Sequence, residues 1–253
     1  SPPGLHFPRD CYQRRRERRM IKFGTDGWRA LIADQFTFDN VRLVSQAVAQ
    51  DLQEKGLAAK GIAIGYDHRF ESEHFAQAAA EVFSGAGINT LLTSHAVPTP
   101  VLSYAVKTRQ LAAGIMITAS HNPPQWNGLK IKEAFGGSSF PETTKSVEGK
   151  IKDQLTITPS RSKIEYFDPD PIYLEKMRSL VDLELIKSHS LKVVVDPMFG
   201  SGAGYFKKLG IEAAEIRGKR DPLFNGINPE PLPVNLEDSI SFTKEAGLKY
   251  ANE

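Results

Sequence analysis

Residues 118–132 bring a nucleophile, a stiff turn and a cation close together. Ser120 directly follows an apolar run typical of a buried strand, so its hydroxyl is expected at the edge of a sheet. Asn122 precedes two prolines, which remove two backbone donors and disfavour helix at Asn122. Gly128 permits backbone conformations closed to other residues, and Lys130 follows soon enough to fold back towards Ser120. The pattern predicts a rigid loop that holds a reactive hydroxyl.

Ser120 and His121 also raise the question of a serine hydrolase. Adjacent side chains usually point in different directions, and the sequence lacks the G-x-S-x-G elbow of the hydrolases. We therefore reject a hydrolase dyad. Taken alone, a Ser-His-Asn-Pro run is more often a simple turn, so its interpretation depends on the rest of the chain.

Apolar runs alternate with amphipathic stretches from Met20 onward, which predicts an α/β fold with a mostly parallel sheet. Helices are predicted at residues 40–55, 72–85 and 98–107, and strands at 61–65, 88–93 and 112–118. Ligands of such sheets bind beyond the carboxyl ends of the strands. Polar loops fall at three of those ends, at residues 66–69, 94–95 and 119–122, and predict a site there.

Residues 153–171 are rich in Pro, Ser, Thr, Asp and Lys, and they predict a linker or a short hairpin between two domains. A second α/β unit is predicted after it, with a helix at 172–185 and strands at 191–195 and 212–216. Between those strands, residues 196–204 form a Gly-rich turn that either cradles phosphate or is structural. We favour the structural interpretation because the Gly-Lys-Ser/Thr ending of a P-loop is missing.

Composition and charge argue against several classes of protein. No apolar run approaches the roughly 20 residues that span a bilayer, no signal peptide is visible, and Cys11 is the only cysteine. These features predict a cytoplasmic protein without a membrane partner. Residues 1–20 carry six arginines against two carboxylates, a net +4 that leaves −2 for the remainder of a +2 chain. We interpret residues 1–19 as a disordered basic extension, and we expect no nucleic-acid partner.

Further motifs occur in a fixed order along the chain. They are FGTDGWRA (23–30), GYDHR (65–69), VPTP (97–100), TASHNPPQWNG (118–128), VVVDPMFGSGAG (193–204) and NPEPLPVNLED (228–238). Together they resemble the N-terminal half of the α-D-phosphohexomutase family, which includes phosphoglucomutases and phosphomannomutases. The resemblance implies two three-layer α/β/α domains with mostly parallel mixed sheets, domain I over residues 20–160 and an incomplete domain II over 168–253.

The resemblance also implies roles for individual residues. Ser120 matches a phosphoserine that donates its phosphoryl group to a hexose phosphate, and Arg29 matches an arginine beside it. Lys130 matches a lysine that assists proton movement or charge stabilisation, whereas His121 and Asn122 match loop residues that shape the site and bind substrate. A phosphoserine carries close to two negative charges at neutral pH, so transfer requires fixed cations such as the planar fork of arginine.

The cofactors implied by the resemblance are Mg²⁺ and glucose 1,6-bisphosphate, the latter as activator and intermediate. The metal would be held through the phosphate on Ser120 and by acidic residues of a loop that follows a G-L-x-x-A-N strand. Residues 247–252 match that strand, and Glu253 is either the first acidic ligand or an ordinary residue.

The implied activity is interconversion of hexose 1-phosphate and hexose 6-phosphate, for glucose or mannose. A phosphoglucosamine mutase and a truncated, non-catalytic sugar-phosphate-binding protein are the alternatives. The chain alone is expected to be inactive, with apolar surface uncovered, and its oligomeric state is left open.

A few residues have two interpretations. Asp67 and Arg69 either line the site or form an ion pair that fixes the loop after a strand. His68, His74 and His189 are predicted at the surface, because nothing pairs them at metal-ligand spacing.

Overall fold

The structure, a computed structural model, describes residues 21–24, 27–189 and 191–251, with side chains up to residue 247. Six strands build the first sheet: β1 (Gly27–Leu31), β2 (Ile62–Tyr66), β3 (Thr90–Thr93), β4 (Ala113–Ile117), β5 (Trp126–Glu133) and β6 (Ile164–Phe167). Their order across the sheet is β1-β5-β4-β2-β3-β6. β4, β2, β3 and β6 run parallel, while β5 is antiparallel to both of its neighbours. The predicted α/β fold with a mixed, mostly parallel sheet is confirmed.

Five helices cover the two faces of this sheet and make the first domain three-layered. α1 (Phe38–Glu54), α2 (Ser72–Gly85) and α4 (Pro141–Lys150) cover one face, and α3 (Thr99–Thr108) and α5 (Asp170–Leu180) cover the other. Alternation along the strands divides the core, since Ile62 and Ile64 face α1 and α2 whereas Ala63 faces α3. Burial of each large apolar side chain contributes about 1.5–3 kcal/mol, so this packing fixes where the strand ends lie.

Two strands of the sheet lie where the sequence indicated loops. β1 falls inside the FGTDGWRA motif, and β5 follows directly on the Ser120 loop. β5 carries Lys130 and Lys132, which are buried although lysine is rarely buried, and this polar composition concealed the strand. The two lysines alternate with Leu129 and Ile131, the period of a strand with one apolar face.

Residues 153–171, predicted as a linker or a short hairpin between domains, contain a strand of the first sheet. Residues 164–167 form β6, which pairs in parallel with β3 and places buried Phe167 in the core of the first domain. Upstream of β6, Gln46 of α1 hydrogen-bonds residues 154–157. The first sheet therefore extends beyond the predicted boundary at residue 160.

The second part of the chain has shorter elements than predicted. The helix expected at 172–185 is divided, because Val181 is extended and Asp182 caps a new helix, α6 (Leu183–Ser188). The predicted strands shrink to a parallel pair, β7 (Val194–Val195) and β8 (Ala214–Glu215), and α7 (Tyr205–Lys208) follows the Gly-rich turn.

The C-terminal segment is helical as far as the structure describes it. The strand expected at 247–252 is wrong for residues 247–251, because α8 (Glu237–Ala251) runs through them. Its first turn carries Glu237 and Asp238, which suit the positive end of a helix dipole. Residues 1–20 and Glu253 lie outside the described residues, so the basic extension and the acidic ligand stay predictions.

Large apolar side chains are exposed from Leu180 onward, the most exposed being Leu180, Leu185, Leu191, Leu223 and Val234, and the first domain exposes Phe70, Phe135, Phe140 and Tyr166 to a similar degree. Among the described helices, none has the length and apolar character to cross a membrane.

Candidate functional site

Ser120 lies three residues beyond the end of the buried strand β4, and its side chain is exposed. The β4–β5 ladder continues one step further, since Thr118 N donates a 2.9 Å hydrogen bond to Gly128 O. Ser120 has a φ of 59°, a left-handed conformation that costs a non-glycine residue roughly 1–2 kcal/mol. Its backbone N–H donates to Thr118 Oγ1 at 3.0 Å, which helps to hold this conformation. The predicted rigid loop therefore exists.

Strand register brings Arg29 and Lys130 to the same face of the sheet as the Ser120 loop. Lys130 lies opposite Met116 in the β4–β5 pair, and Arg29 lies opposite Gly128 in the β1–β5 pair. Opposed residues of an antiparallel pair project to the same face. Met116 and Thr118 line a cavity, so the two cations share the face of the sheet on which that cavity lies.

Gly128 allows the Arg29 side chain to cross β5. A Cβ at residue 128 would lie 3.0 Å from Arg29 Cγ, 2.6 Å from Thr118 O and 2.8 Å from Trp28 O. Beyond Gly128, Arg29 Nη1 donates a 2.9 Å hydrogen bond to Asn122 Oδ1. The predicted residues Arg29 and Asn122 are thus in direct contact.

The side chains of Ser120 and His121 do not point apart as expected. His121 Nδ1 lies 3.4 Å from Ser120 Oγ, because the left-handed backbone at Ser120 turns both side chains to the solvent side of the loop. This distance is longer than the usual range of a hydrogen bond between oxygen and nitrogen. Within the described residues, no side chain hydrogen-bonds the other ring nitrogen of His121, so the third member of a hydrolase triad is missing there.

Arg69 lies beneath the Ser120 loop with 1% of its side chain exposed. Its guanidinium donates to backbone carbonyl oxygens of the loop at residues 120, 122, 123 and 126. Asp67 Oδ2 lies 3.4 Å from Arg69 Nε, so the ion pair exists. Burial lowers the pKa of Arg69, and nearby Asp67 opposes that shift. Asp67 lines the cavity while Arg69 supports the loop, so each of the two interpretations holds for one residue.

The cavity beside Ser120 has a volume of about 330 Å³ and lies between the two domains. Residues of the first domain that line it are Asp67, His68, Thr99, Met116, Thr118 and Ser120. Residues of the second domain that line it are Asp196, Pro197, Met198, Gly200, Ser201, Phe224, Pro229 and Pro231. The Gly-rich turn, interpreted as structural, therefore also forms a wall of the cavity.

A network of hydrogen bonds fixes that wall. Asp196 accepts hydrogen bonds from Arg217, Ser239 and the backbone N–H of Met198. Burial alone would raise the pKa of Asp196, but these hydrogen bonds outweigh burial and lower it. Arg217 Nη1 also donates to Asn235 O at 3.1 Å, which ties the turn to the NPEPLPVNLED motif.

The two domains make polar contacts at the same place. His68 Nδ1 lies 3.1 Å from Phe199 O, which makes Nδ1 the donor. Arg220 Nε donates to His68 O at 3.2 Å, and Arg220 Nη2 bonds both oxygens of Glu73. His68 is therefore a half-buried interface residue rather than a surface histidine, whereas His74 and His189 are exposed as predicted. The GYDHR motif places His68 in a loop at the end of a strand. Its hydrogen-bond partner, the carbonyl of Phe199, is 131 residues away in sequence, so the motif alone does not predict this contact.

The described residues do not complete a Mg²⁺ site at Ser120. The two carboxylates that line the cavity already accept hydrogen bonds from the protein. Asp67 accepts from Arg69 N and Ser72 Oγ, and Asp196 accepts from Arg217. Oxygen ligands are what Mg²⁺ requires, and Ser120 is the only predicted ligand that lies within the described part of the chain.

Elsewhere, potential ligand atoms of His95, Asp168 and Asp170 lie within 4.8 Å of one another. Asp170 already accepts hydrogen bonds from Tyr205 and Lys208, and a cationic partner disfavours a metal ion there. Burial alone would raise the pKa of Asp170, but these hydrogen bonds outweigh burial and lower it. The group joins the first domain to α7.

An exposed serine in a polar loop at the carboxyl end of a parallel strand, facing an interdomain cavity, is the arrangement of an α/β ligand-binding site. The sequence profile of phosphoglucomutase/phosphomannomutase α/β/α domain I matches residues 20–157, and that of domain II matches residues 171–251. The chain belongs to the phosphoglucomutase/phosphomannomutase family.

Individual proteins agree with this assignment. A protein of Schizosaccharomyces pombe named "Probable phosphoribomutase" is 42% identical over 151 residues, 57% of this chain and 26% of that protein. A phosphoglucomutase of Komagataeibacter xylinus is 28% identical over 260 residues, 90% of this chain and 46% of that protein. A crystal structure of a protein assigned as a phosphomannomutase, from Thermus thermophilus, superposes with a TM-score of 0.82 at 36% identity. That superposition covers 88% of this chain and 52% of the other, so this chain spans about half the length of such relatives.

Proposed function

We propose that the protein is a phosphosugar mutase that interconverts hexose 1-phosphate and hexose 6-phosphate, with Ser120 carrying the phosphoryl group. One observation carries the proposal: Ser120 lies exposed beside an interdomain cavity, on the sheet face that also bears Arg29 and Lys130. Membership of the phosphoglucomutase/phosphomannomutase family supports the same reaction.

The residues divide the proposed chemistry among them. A sugar hydroxyl forms a bond to the phosphorus of phospho-Ser120 while the bond from Ser120 Oγ to phosphorus breaks. The attacking hydroxyl loses its proton, and Ser120 Oγ gains a proton as its bond to phosphorus breaks. The product in the cavity is a bisphosphate sugar. In the second half, the other phosphate of that sugar returns to Ser120 and the isomeric monophosphate leaves. Energetically, both halves depend on alignment and on cations near the moving phosphoryl oxygens.

Arg29 and Lys130 supply this charge in the proposal. Arg29 bonds Asn122 at one nitrogen, and the planar fork of its guanidinium group matches the geometry of phosphate oxygens. Lys130 is buried in β5, so it acts as a cation whose position is set by the strand rather than by solvent. His121 and Asn122 shape the loop, and Asn122 also contacts substrate.

Mg²⁺ is the proposed metal, with a phosphate oxygen on Ser120 as one ligand and Glu253 as a candidate for another. When bound, it would neutralise charge on the phosphoryl group. Glucose 1,6-bisphosphate is the proposed activator, because it can phosphorylate Ser120 and is itself the intermediate for glucose.

The proposed substrates are sugar monophosphates. Glucose and mannose monophosphates are the first candidates, and phosphoglucosamine is a close alternative. The 42% identity to a protein named as a phosphoribomutase adds a pentose phosphate as a second candidate class. Parallel assays on these four sugars separate the possibilities.

The test is phosphopeptide mass analysis of the full-length protein after exposure to glucose 1,6-bisphosphate and Mg²⁺. We expect a phosphate on Ser120 that excess sugar monophosphate removes, and no label in Ser120→Ala. A folded protein whose Ser120 stays unmodified would support the non-catalytic sugar-phosphate-binding alternative.

A further inference from the structure

One arginine beneath the Ser120 loop binds most of the loop's inward carbonyl groups. Arg69 Nη2 donates to Ser120 O at 2.8 Å and to Asn122 O at 2.6 Å. Arg69 Nη1 donates to Pro123 O at 2.9 Å and to Trp126 O at 3.0 Å. The loop therefore folds around a single guanidinium group.

These contacts use four of the five donors of the guanidinium group. A guanidinium has five N–H groups, and the four on its two Nη atoms each have one carbonyl acceptor here. The fifth, on Nε, lies 3.4 Å from Asp67 Oδ2 in an ion pair but has no hydrogen-bond partner among the described residues. A lysine has three donors on one tetrahedral nitrogen and cannot reach four carbonyls spread across a plane. The geometry is specific to arginine.

The loop has few other ways to satisfy those carbonyls. Pro123 and Pro124 have no N–H, so two potential internal donors are missing from the turn. Buried carbonyl groups without partners cost about 1–3 kcal/mol each. Ser120 is also held at a φ of 59°, and strained conformations persist only where the surroundings impose them. Arg69 therefore constrains the backbone at Ser120, together with the hydrogen bond from Ser120 N to Thr118 Oγ1.

The second domain closes over the same side chain. The Phe224 ring centroid lies 5.1 Å from Arg69 Cζ, within the range of a cation–π contact. Arg220 Nη2 lies 3.4 Å from the backbone oxygen of Arg69 and also bonds Glu73. Phe224 lines the cavity as well, so the interdomain surface and the support of the Ser120 loop are continuous.

We infer that Arg69 is a positioning residue that fixes the backbone of the Ser120 loop, and that Phe224 couples this support to the second domain. Its consequence for phosphoryl transfer rests on the proposed function, whereas its consequence for loop order does not. Arg69 touches the loop and not the reacting atoms, so its removal lowers the rate of transfer more than the affinity for the sugar.

The experiment compares Arg69→Lys, Arg69→Met and Phe224→Leu with the wild-type full-length protein. Arg109→Met is the matched control, because Arg109 Cζ also lies 5.0 Å from an aromatic ring, that of Phe167, but contacts no loop carbonyl. Hydrogen exchange is read at the amides of Asn122 and Trp126, which bond Ala119 O and Pro123 O inside the loop. The amide of Ile115 in β4 reports exchange in the core.

Both Arg69 variants should exchange the two loop amides at least 10-fold faster than wild type, with exchange at Ile115 changed much less. Phe224→Leu should give a smaller acceleration at the same amides, and Arg109→Met none. If the Arg69 variants fail to fold, the test rests on Phe224→Leu. Unchanged hydrogen exchange of the loop amides in that variant overturns the inference that Phe224 couples the loop to the second domain. Unchanged loop exchange in a folded Arg69→Lys overturns the positioning role.

Phosphoryl transfer to Ser120 separates this inference from the proposed function. At saturating glucose 1,6-bisphosphate, Arg69→Lys should transfer at least 10-fold more slowly, while the concentration for half-maximal transfer changes by less than about 3-fold. If the wild-type protein is never phosphorylated on Ser120, the proposed function is wrong. The positioning role of Arg69 is then tested by hydrogen exchange alone. Normal labelling with normal loop exchange in Arg69→Lys defeats only the inference.

Discussion

Arg29 and Asn122 are joined across β5: Arg29 Nη1 donates a 2.9 Å hydrogen bond to Asn122 Oδ1. The contact links the edge strand β1 to the loop that follows β4, although the two residues lie 93 positions apart. It is possible only because Gly128 has no side chain between them. The site therefore depends on the close approach of three strands as much as on the residues of the loop.

Gly128→Ala should destabilise the protein and separate Arg29 from Asn122. The added Cβ would lie 2.6 Å from Thr118 O and 2.8 Å from Trp28 O. Both are backbone atoms of neighbouring segments, so the clash cannot be relieved by a change of side-chain rotamer. Overpacking of this kind costs roughly 1–3 kcal/mol in urea unfolding. Gly149→Ala in α4 is the control, because its Cβ would meet nothing within 4 Å. That control should be neutral or stabilising by up to about 1 kcal/mol, and equal losses in both variants would contradict the prediction.

Arg29→Gln should slow phosphorylation of Ser120 by about 100-fold, if Ser120 is the phosphoryl carrier. Removal of one preorganised donor to developing charge typically costs roughly 10²–10³ in rate. Time courses of Ser120 phosphopeptide with glucose 1,6-bisphosphate measure the rate. Arg42→Gln is the control, since Arg42 lies on α1 and pairs with the exposed Asp39. Labelling of Arg29→Gln at the wild-type rate would remove Arg29 from the proposed mechanism.

Asp170→Asn should destabilise the protein at neutral pH and have little effect in acid. The carboxylate of Asp170 bonds Tyr205 and Lys208, and His95 Nε2 lies 3.2 Å away. Burial raises the pKa of Asp170, but hydrogen bonds from Lys208 and Tyr205 outweigh burial and hold the pKa below its ordinary value. Stability from a depressed pKa is present above the unfolded value and is lost as pH falls through the folded value. The difference from wild type should be about 2 kcal/mol at pH 7 and should shrink below about pH 4.

Urea unfolding of wild type and Asp170→Asn at pH 7, 5 and 3 measures this difference. Asp39→Asn is the control, because the Asp39 side chain is 91% exposed and its pair with Arg42 contributes little. A difference for Asp170→Asn that stays constant down to pH 3 would show that the charge of Asp170 is not the cause.

The sequence predicted most of the first domain because its pattern there reflects burial. Val41, Val44 and Val48 recur at helical spacing, and all three lie in the core that α1 forms with the sheet. The strand before Ser120 was predicted from its apolar run, and the loop at its end lies at the cavity. Patterns fail where polar residues are buried, as with Lys130 and Lys132 in β5, because local composition then indicates a loop.

The role of Arg69 could not be predicted from its position. Its acceptors are backbone carbonyls 51 to 57 residues away, and carbonyl groups leave no trace in the residue types of a sequence. The same holds for β6, since its pairing with β3 depends on where the chain returns after α4. Local patterns therefore singled out the candidate site residues, but not the residue that supports their backbone.

Gln46→Ala should destabilise the protein through the segment that looked like a linker. Gln46 is fully buried in α1, and its Oε1 accepts from Thr156 N at 2.7 Å and from Ile157 N at 3.0 Å. Its Nε2 donates to Gln154 O at 3.1 Å. Truncation leaves these backbone groups without partners, at about 1–3 kcal/mol each, so we expect a loss of about 3 kcal/mol in urea unfolding. Hydrogen exchange at the amides of Thr156 and Ile157 should rise in parallel.

Gln53→Ala is the matched control on the same helix. Gln53 Nε2 donates one exposed hydrogen bond to Ala86 O at 3.0 Å, and water replaces that partner when the side chain is removed. Its loss should stay within about 0.5 kcal/mol, as for surface substitutions in general. If the two variants lose the same stability, residues 154–157 are not held by Gln46. β6 would still pair with β3, so the first domain would keep its last strand without the contact at Gln46.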